Sequence, residues 1–140
     1  MKNNEILASI EIPSDPAYLK KIRQLVARVA RSEGCSSRIT QDTVLAVNEA
    51  VMNIIQHAYQ GDSNGLIVLE IHKVEQALEF WLTDYGLPVC PDKIKPRPLD
   101  EIRPGGLGCH FIKEVMDEVE FFPLLENKNG NRLRMLKRIG

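Results

Sequence analysis

The stretch NEAVMNIIQHAY, residues 48–59, carries two interleaved patterns. Val44, Val47, Val51, Ile54 and Ala58 recur at steps of three and four, the spacing that lines one face of an α-helix. Glu49, Asn53 and His57 recur at steps of four and form a second, outward line roughly opposite the first. A solvated helix face usually mixes lysine with glutamate and glutamine, yet no lysine or arginine stands between Arg38 and Lys73. The small residues Ala46 and Ala50 flank the polar line and leave room for a bulky group to approach. The helix is expected to start near Thr40 or Gln41 and to end near Tyr59, where GDSNG (61–65) breaks the pattern.

On the amino-terminal side, Ile6, Ala8, Ile10 and Ile12 alternate as a strand does, up to Pro13. Ser14, Asp15 and Pro16 then supply a polar cap and a first-turn proline, and Leu19, Ile22, Val26 and Val29 carry a buried helical face as far as Gly34. On the other side, LIVLEIHKV (66–74) and ALEFWLTD (77–84) read as a hairpin turning at Glu75 and Gln76. Five of the eight prolines fall between Pro88 and Pro104, a composition expected to form a long irregular loop of the kind that carries function. GGLG (105–108) precedes a helical pattern through Leu107, Phe111, Ile112, Val115 and Met116, and VEFFPLL (119–125) and NRLRMLKRI (131–139) close the chain as two strands. Strands that are mostly hairpin neighbours, with helices needing a face to cover, predict an α+β two-layer sandwich: a mixed, mostly antiparallel sheet covered by helices on one face.

A chain of 140 residues with 44% hydrophobic content is expected to form one domain, 1–140, with its own core. The formal net charge of −1 argues against nucleic-acid binding, which needs a concentrated positive surface. RLRMLKRI (132–139) is the exception, and its alternation reads as an edge strand whose basic residues block unwanted pairing. Cys35, Cys90 and Cys109 are odd in number and form no CxxC pair, and His57, His72 and His110 have no ligand spacing, so neither a disulfide framework nor a structural zinc site is expected. The start, MKNNEILASIEIP, has no hydrophobic signal region and no run approaches the roughly 20 apolar residues of a membrane span, so a soluble cytoplasmic protein is expected.

Two further motifs bear on chemistry. TDYGLP (83–88) ends an apolar strand in a carboxylate followed by a Gly and Pro turn; by itself such a stretch is most often a simple turn. Glycines before a helix, as in GGLG, allow a tight turn and also expose helix-start amides that bind phosphate.

The order of these pieces resembles the Bergerat, or GHKL, ATP-binding fold over nearly the whole chain: a Glu-x-x-x-Asn helix, a strand ending Asp-x-Gly-x-Pro, a loop, then Gly-Gly-Leu-Gly and a helix. Within that superfamily, EAVMNIIQHAY is similar to the asparagine box of the anti-sigma-factor serine kinases of the RsbW type, agreeing at Glu49, Ala50, Asn53, His57, Ala58 and Tyr59. The resemblance implies that ATP and Mg²⁺ bind, with Asn53 as metal ligand and Glu49 as general base toward an attacking hydroxyl. It implies that Asp84 accepts from the adenine amino group, which distinguishes adenine from the carbonyl of guanine. Gly86 and Pro88 would shape the base site, and Gly105, Gly106, Leu107 and Gly108 would bring backbone amides to the phosphates. Arg103 is implied as a γ-phosphate clamp or partner contact, and His57, with Tyr59, as a tie for the helix end beside the nucleotide. The family often has Gly-Thr before the last strand; here Gly130 is followed by Asn131, and Cys109 and His110 also depart from the pattern.

The implied function is a serine/threonine-protein kinase and anti-sigma factor that phosphorylates an anti-sigma-factor antagonist in a partner-switching circuit and works as a homodimer. The alternative is a non-catalytic ATP-binding module whose partner surface is the first helix or the loop. A histidine-kinase reading has less support, since these residues contain no helix pair carrying a phospho-acceptor histidine.

Overall fold

The structure, a computed structural model, describes residues 4–87, 106–123 and 130–139. Strand β1 (Asn4–Pro13) leads into a single 3₁₀ turn, Pro16–Tyr18, and then helix α1, Leu19–Ser32. Asp15 starts this unit as its cap, its side chain accepting from the Ala17 amide at 2.9 Å. Gly34, at φ 81°, ends it in the left-handed conformation that glycine adopts without strain. Helix α2 spans Ser37–Asn53, and Ser36 Oγ accepts from the Ile39 amide at 3.1 Å. That cap sets the start three residues before the one expected from the apolar spacing at Thr40.

Strands β2 (Leu66–Val74), β3 (Ala77–Asp84), β4 (Glu118–Pro123) and β5 (Asn131–Arg138) complete the sheet, with helix α3 (Gly106–Val115) before β4. The strand order is β1-β2-β3-β5-β4 and all four neighbouring pairs run antiparallel. The basic alternation of β5 therefore does not mark an edge: β5 lies between β3 and β4, and its arginines find partners across the sheet.

Strand alternation sorts the side chains into two faces. Ile67, Leu69 and Ile71 of β2, Leu78, Phe80 and Leu82 of β3, and Leu133 and Met135 of β5 share one buried cluster with Ile22, Val26 and Val29 of α1 and Val47, Val51 and Ile54. Burial of such a side chain contributes about 1.5–3 kcal/mol, so this row and the helices above it hold the two layers together. Ala46 and Ala50 belong to the same cluster at 0% and 1% exposure; their small size lets α2 sit close to its neighbours and leaves no opening for a ligand. Asp84 follows Leu82 in the helix-facing row, opposite Asn131 on β5.

The other face is polar and aromatic. Arg134 donates through Nε to Glu79 at 2.6 Å and through Nη1 to Glu118 at 2.9 Å and Glu120 at 2.7 Å, while Trp81 Nε1 donates to Glu79 at 2.7 Å. The Arg132 guanidinium stacks 4.1 Å from the Trp81 ring centre, and Phe122 lies 5.9 Å from Trp81. Among the described residues, no alternate-row side chain of β2, β3 or β5 joins the helix-side cluster. No helix among them is long and apolar enough to cross a membrane.

Candidate functional site

Helix α2 delivers the polar line of NEAVMNIIQHAY, and it does so at graded depth. Glu49 is half-buried, Asn53 is buried at 8% exposure and His57 is exposed. The three residues therefore do not form one outward stripe. The physical reason lies directly after Asn53, where the hydrogen-bond ladder widens into a π-helical turn, Ile54–Ala58. The Tyr59 amide donates to Ile54 O at 3.1 Å, and Gln60 and Gly61 leave the helix at positive φ. A π turn inserted here rotates the next residues relative to Asn53, so His57 is not stacked over it; such turns concentrate at functional sites. The apolar spacing runs through this segment unbroken, which is why the sequence reads it as ordinary α-helix.

The chain that follows the strand-end carboxylate meets this turn through direct contacts. The Leu87 amide donates to Ala58 O at 2.8 Å. A Cβ on Gly86 would stand 2.5 Å from that same oxygen, so only glycine lets the chain pass there. Tyr59 ties the two sides together: its hydroxyl donates to Leu66 O at 2.6 Å and accepts from the Tyr85 amide at 2.8 Å, and its ring lies where a Cβ on Gly65 would sit. Asp84 and Asn53 thus occupy the same side of the sheet, joined by the Ala58–Gly86 contact.

Asp84 is 1% exposed. Its Oδ1 accepts from Asn131 Nδ2 at 3.0 Å and from the Gly86 amide at 3.0 Å. Burial pushes its carboxyl above the ordinary carboxylate range; the Asn131 and Gly86 donors pull it back only in part. Asn131 Nδ2 also donates to Leu87 O at 2.8 Å. The sequence singles out Asn131 only as a departure from a pattern, yet in the structure it is the side-chain partner of the buried carboxylate.

Helix α3 begins with Gly106, Leu107 and Gly108 and packs against α2. Pro88, Arg103 and Gly105, and the proline-dense loop as a whole, lie outside the described residues. The donor chemistry suits a magnesium nucleotide. A buried amide with a carboxylate one turn before it offers only oxygen ligands of the kind a hard cation takes. No group of three His, Cys, Asp or Glu among the described residues could hold an ion unaided, so a cation at Asn53 would draw most of its ligands from phosphate and water.

A second feature lies between the two long helices. A groove of about 1270 Å³ between α1 and the start of α2 has Ile10, Leu25 and Val44 among its lining and Lys20, Lys21, Arg28 and Arg31 around them. Among the described residues, no acidic side chain lines it. Helix α1 reads LKKIRQLVARVARS, five cations and no anion in a chain of net charge −1; that imbalance is the sequence signal for the groove.

Residues 12–137 match the family of histidine kinase-like ATPase domains. The chain is 30% identical to the serine-protein kinase RsbW of Bacillus subtilis, over 98% of this chain and 88% of that one. It is 31% identical to the RsbW of Listeria innocua, over 81% and 78%. Among solved structures, the RsbU and RsbW domains of a Mycobacterium tuberculosis protein superpose with a TM-score of 0.66 at 15% identity, covering 95% of this chain and 33% of that longer one. A blue-light activated histidine kinase of Erythrobacter litoralis superposes at 0.56 and 17%, covering 91% and 42%. At such identities these two likenesses speak for the fold.

Proposed function

Because the chain belongs to the histidine kinase-like ATPase domain family, in its RsbW branch, we propose that it is a Mg²⁺- and ATP-dependent serine/threonine-protein kinase and anti-sigma factor. Its protein substrate is an anti-sigma-factor antagonist, and its second partner is a sigma factor. The observation that carries this reading is the junction of the Glu49–Asn53 helix end with the buried Asp84 through Ala58 and Gly86. That junction brings the residue proposed for the base and the residue proposed for the metal-bound phosphates into one neighbourhood.

Mg²⁺, when bound with ATP, offsets phosphate charge and orients the γ-phosphoryl group. Asn53 would hold the ion through its amide oxygen. Glu49, one turn earlier and half-buried, takes the proton from the attacking serine or threonine hydroxyl as its oxygen bonds to the γ-phosphorus and ADP departs. Asp84 accepts from the adenine amino group, and Gly86 lets the backbone run close beside it. Gly105, Gly106, Leu107 and Gly108 would offer backbone amides to the phosphates, the last three from the first turn of α3. Pro88 and Arg103 keep the roles that the family pattern gives them, and His57 stays a support of the helix end.

The cationic groove along α1 is the partner surface, since its rim is complementary to an acidic protein segment and it lies apart from the nucleotide residues. The open sheet face, with Phe122 39% exposed beside Trp81, supports a homodimer. A sigma-factor partner places the protein in the cytoplasm.

The test is a transfer assay with γ-labelled Mg-ATP and a candidate antagonist. Label on a serine or threonine of the antagonist is the expected result. Glu49→Gln should keep ATP affinity in calorimetry and lower the transfer rate by roughly 10²–10⁴-fold. Transfer at the wild-type rate would remove Glu49 from catalysis, and nucleotide binding without any label would leave a non-catalytic binding module.

A further inference from the structure

We infer that Asn131 is a positioning residue that sets base specificity, fixing the Asp84 carboxylate so that Oδ2 alone is presented to the nucleotide and anchoring it to the chain that leaves β3. This rests on the nucleotide site proposed above.

Asn131 opens β5 directly across from Asp84, so its side chain points along the same helix-facing row. The two acceptors it meets, Asp84 Oδ1 at 3.0 Å and Leu87 O at 2.8 Å, are both oxygens without a proton to give. Only the amide nitrogen can satisfy them, which decides the orientation of the side chain and uses both of its N–H groups. Asp84 Oδ1 in turn receives two donors, Asn131 Nδ2 and the Gly86 amide. Neither of these bonds reaches Oδ2.

A carboxylate held in this way cannot swing to relieve a bad contact. Oδ2 accepts from an adenine amino group, but against the carbonyl oxygen of guanine it meets a second acceptor, and rotation would break two bonds at Oδ1. Asn131 thus turns an acceptor at a strand end into a discriminating one. The bond to Leu87 O adds a further constraint: the exit of β3 and the carboxylate move together. A threonine hydroxyl in this place has one proton and can serve Asp84 or Leu87, not both.

The experiment measures ATP and GTP affinity and the KM for ATP in the wild type and in Asn131→Leu, Asn131→Thr and Asp84→Asn. Asn131→Leu should raise the KM for ATP about tenfold with kcat at saturation little changed, and should shrink the ATP-over-GTP preference by about tenfold, the scale of one hydrogen bond to a charged group. Asn131→Thr should recover part of that preference. If Asn131→Leu does not fold, the decision passes to Asn131→Thr, whose preference must fall below that of the wild type. An unchanged preference in a folded variant, or an equal loss for both nucleotides, would overturn the inference while leaving the nucleotide site in place. Failure of the site itself has a separate signature: wild type that binds no ATP, or Asp84→Asn with undiminished ATP affinity.

Discussion

Asp84 is kept ionisable in a place where burial works against its charge. Burial raises its carboxyl above the usual range, and the Asn131 and Gly86 donors recover only part of the difference. A carboxyl whose folded-state pKa lies above its unfolded value favours folding while protonated, and that contribution is lost as pH rises through the folded pKa. The protein without nucleotide is therefore less stable at neutral pH than Asp84 in its neutral form would allow. Asp84→Asn should thus unfold at an equal or higher temperature than the wild type at pH 7, because an amide oxygen can accept the same two donors at no cost in buried charge. The advantage should narrow as pH falls from the raised pKa toward the ordinary value near 3.8. The same variant should bind ATP roughly ten- to a hundredfold more weakly, the cost of one charge-assisted bond. Thermal melts against pH would settle it: a variant less stable than wild type at pH 7 would mean that the carboxylate serves the fold rather than the ligand.

At the scale of elements, legibility in the sequence depends on how locally each signal is written. The cap at Asp15, the hairpin at Glu75 and the strand-end turn at Gly86 depend on residues next to each other and are legible in the sequence; the Ser36 cap is just as local, but the apolar spacing points past it to Thr40. The π turn after Asn53 has no such mark, because it preserves the apolar spacing while changing the direction of His57. Asn131 is equally hidden: its partner lies 47 residues away, on a different strand. The one-sided charge of α1 could have been counted directly. It also makes a prediction that separates partner binding from nucleotide binding. Lys20 and Arg28 are exposed, and among the described residues neither forms an ion pair with a carboxylate. Lys20→Glu with Arg28→Glu should weaken binding of the antagonist that accepts phosphate in the transfer assay by tenfold or more, roughly the weight of like charge at an interface. It should also flatten the salt dependence of binding. ATP affinity should stay within about twofold, as the groove lies apart from Asn53 and Asp84. Unaltered partner affinity in calorimetry would move the docking surface off α1.

On the scale of the whole molecule, the two faces of one sheet divide the work. The helix-facing row ends in Asp84 and Asn131, while the opposite face is held by Arg134 among three carboxylates. The alternating lysines and arginines of β5 read as an edge strand because, seen singly, solvent is the obvious place for a cation; the acids that receive Arg134 sit on β3 and β4, and only the strand order brings them together. Burial would raise the Glu79 carboxyl, yet the bonds from Arg134 and Trp81 hold it below its ordinary value. This is the opposite case to Asp84: the contribution is present above pH about 4.5 and is lost as pH falls through the lowered pKa. Arg134→Met would leave Glu79, at 7% exposure, charged and without its cation. That should cost about 2–4 kcal/mol at pH 7, somewhat under the ~3–5 kcal/mol of a fully buried pair because the cluster keeps some contact with water. The pH slope should also reverse. With the cation gone, burial opposes only the Trp81 bond and His72, the Glu79 pKa moves up, and acidification from pH 7 toward the ordinary value near 4.5 should restore stability to the variant while the wild type gains nothing from this group. Urea unfolding across that range is the measurement, with ATP affinity of the folded variant as its companion. Affinity should hold, since Arg134 points away from the row that carries Asp84; a parallel loss of both would mean that the two faces are coupled through β3 and β5 rather than separately employed.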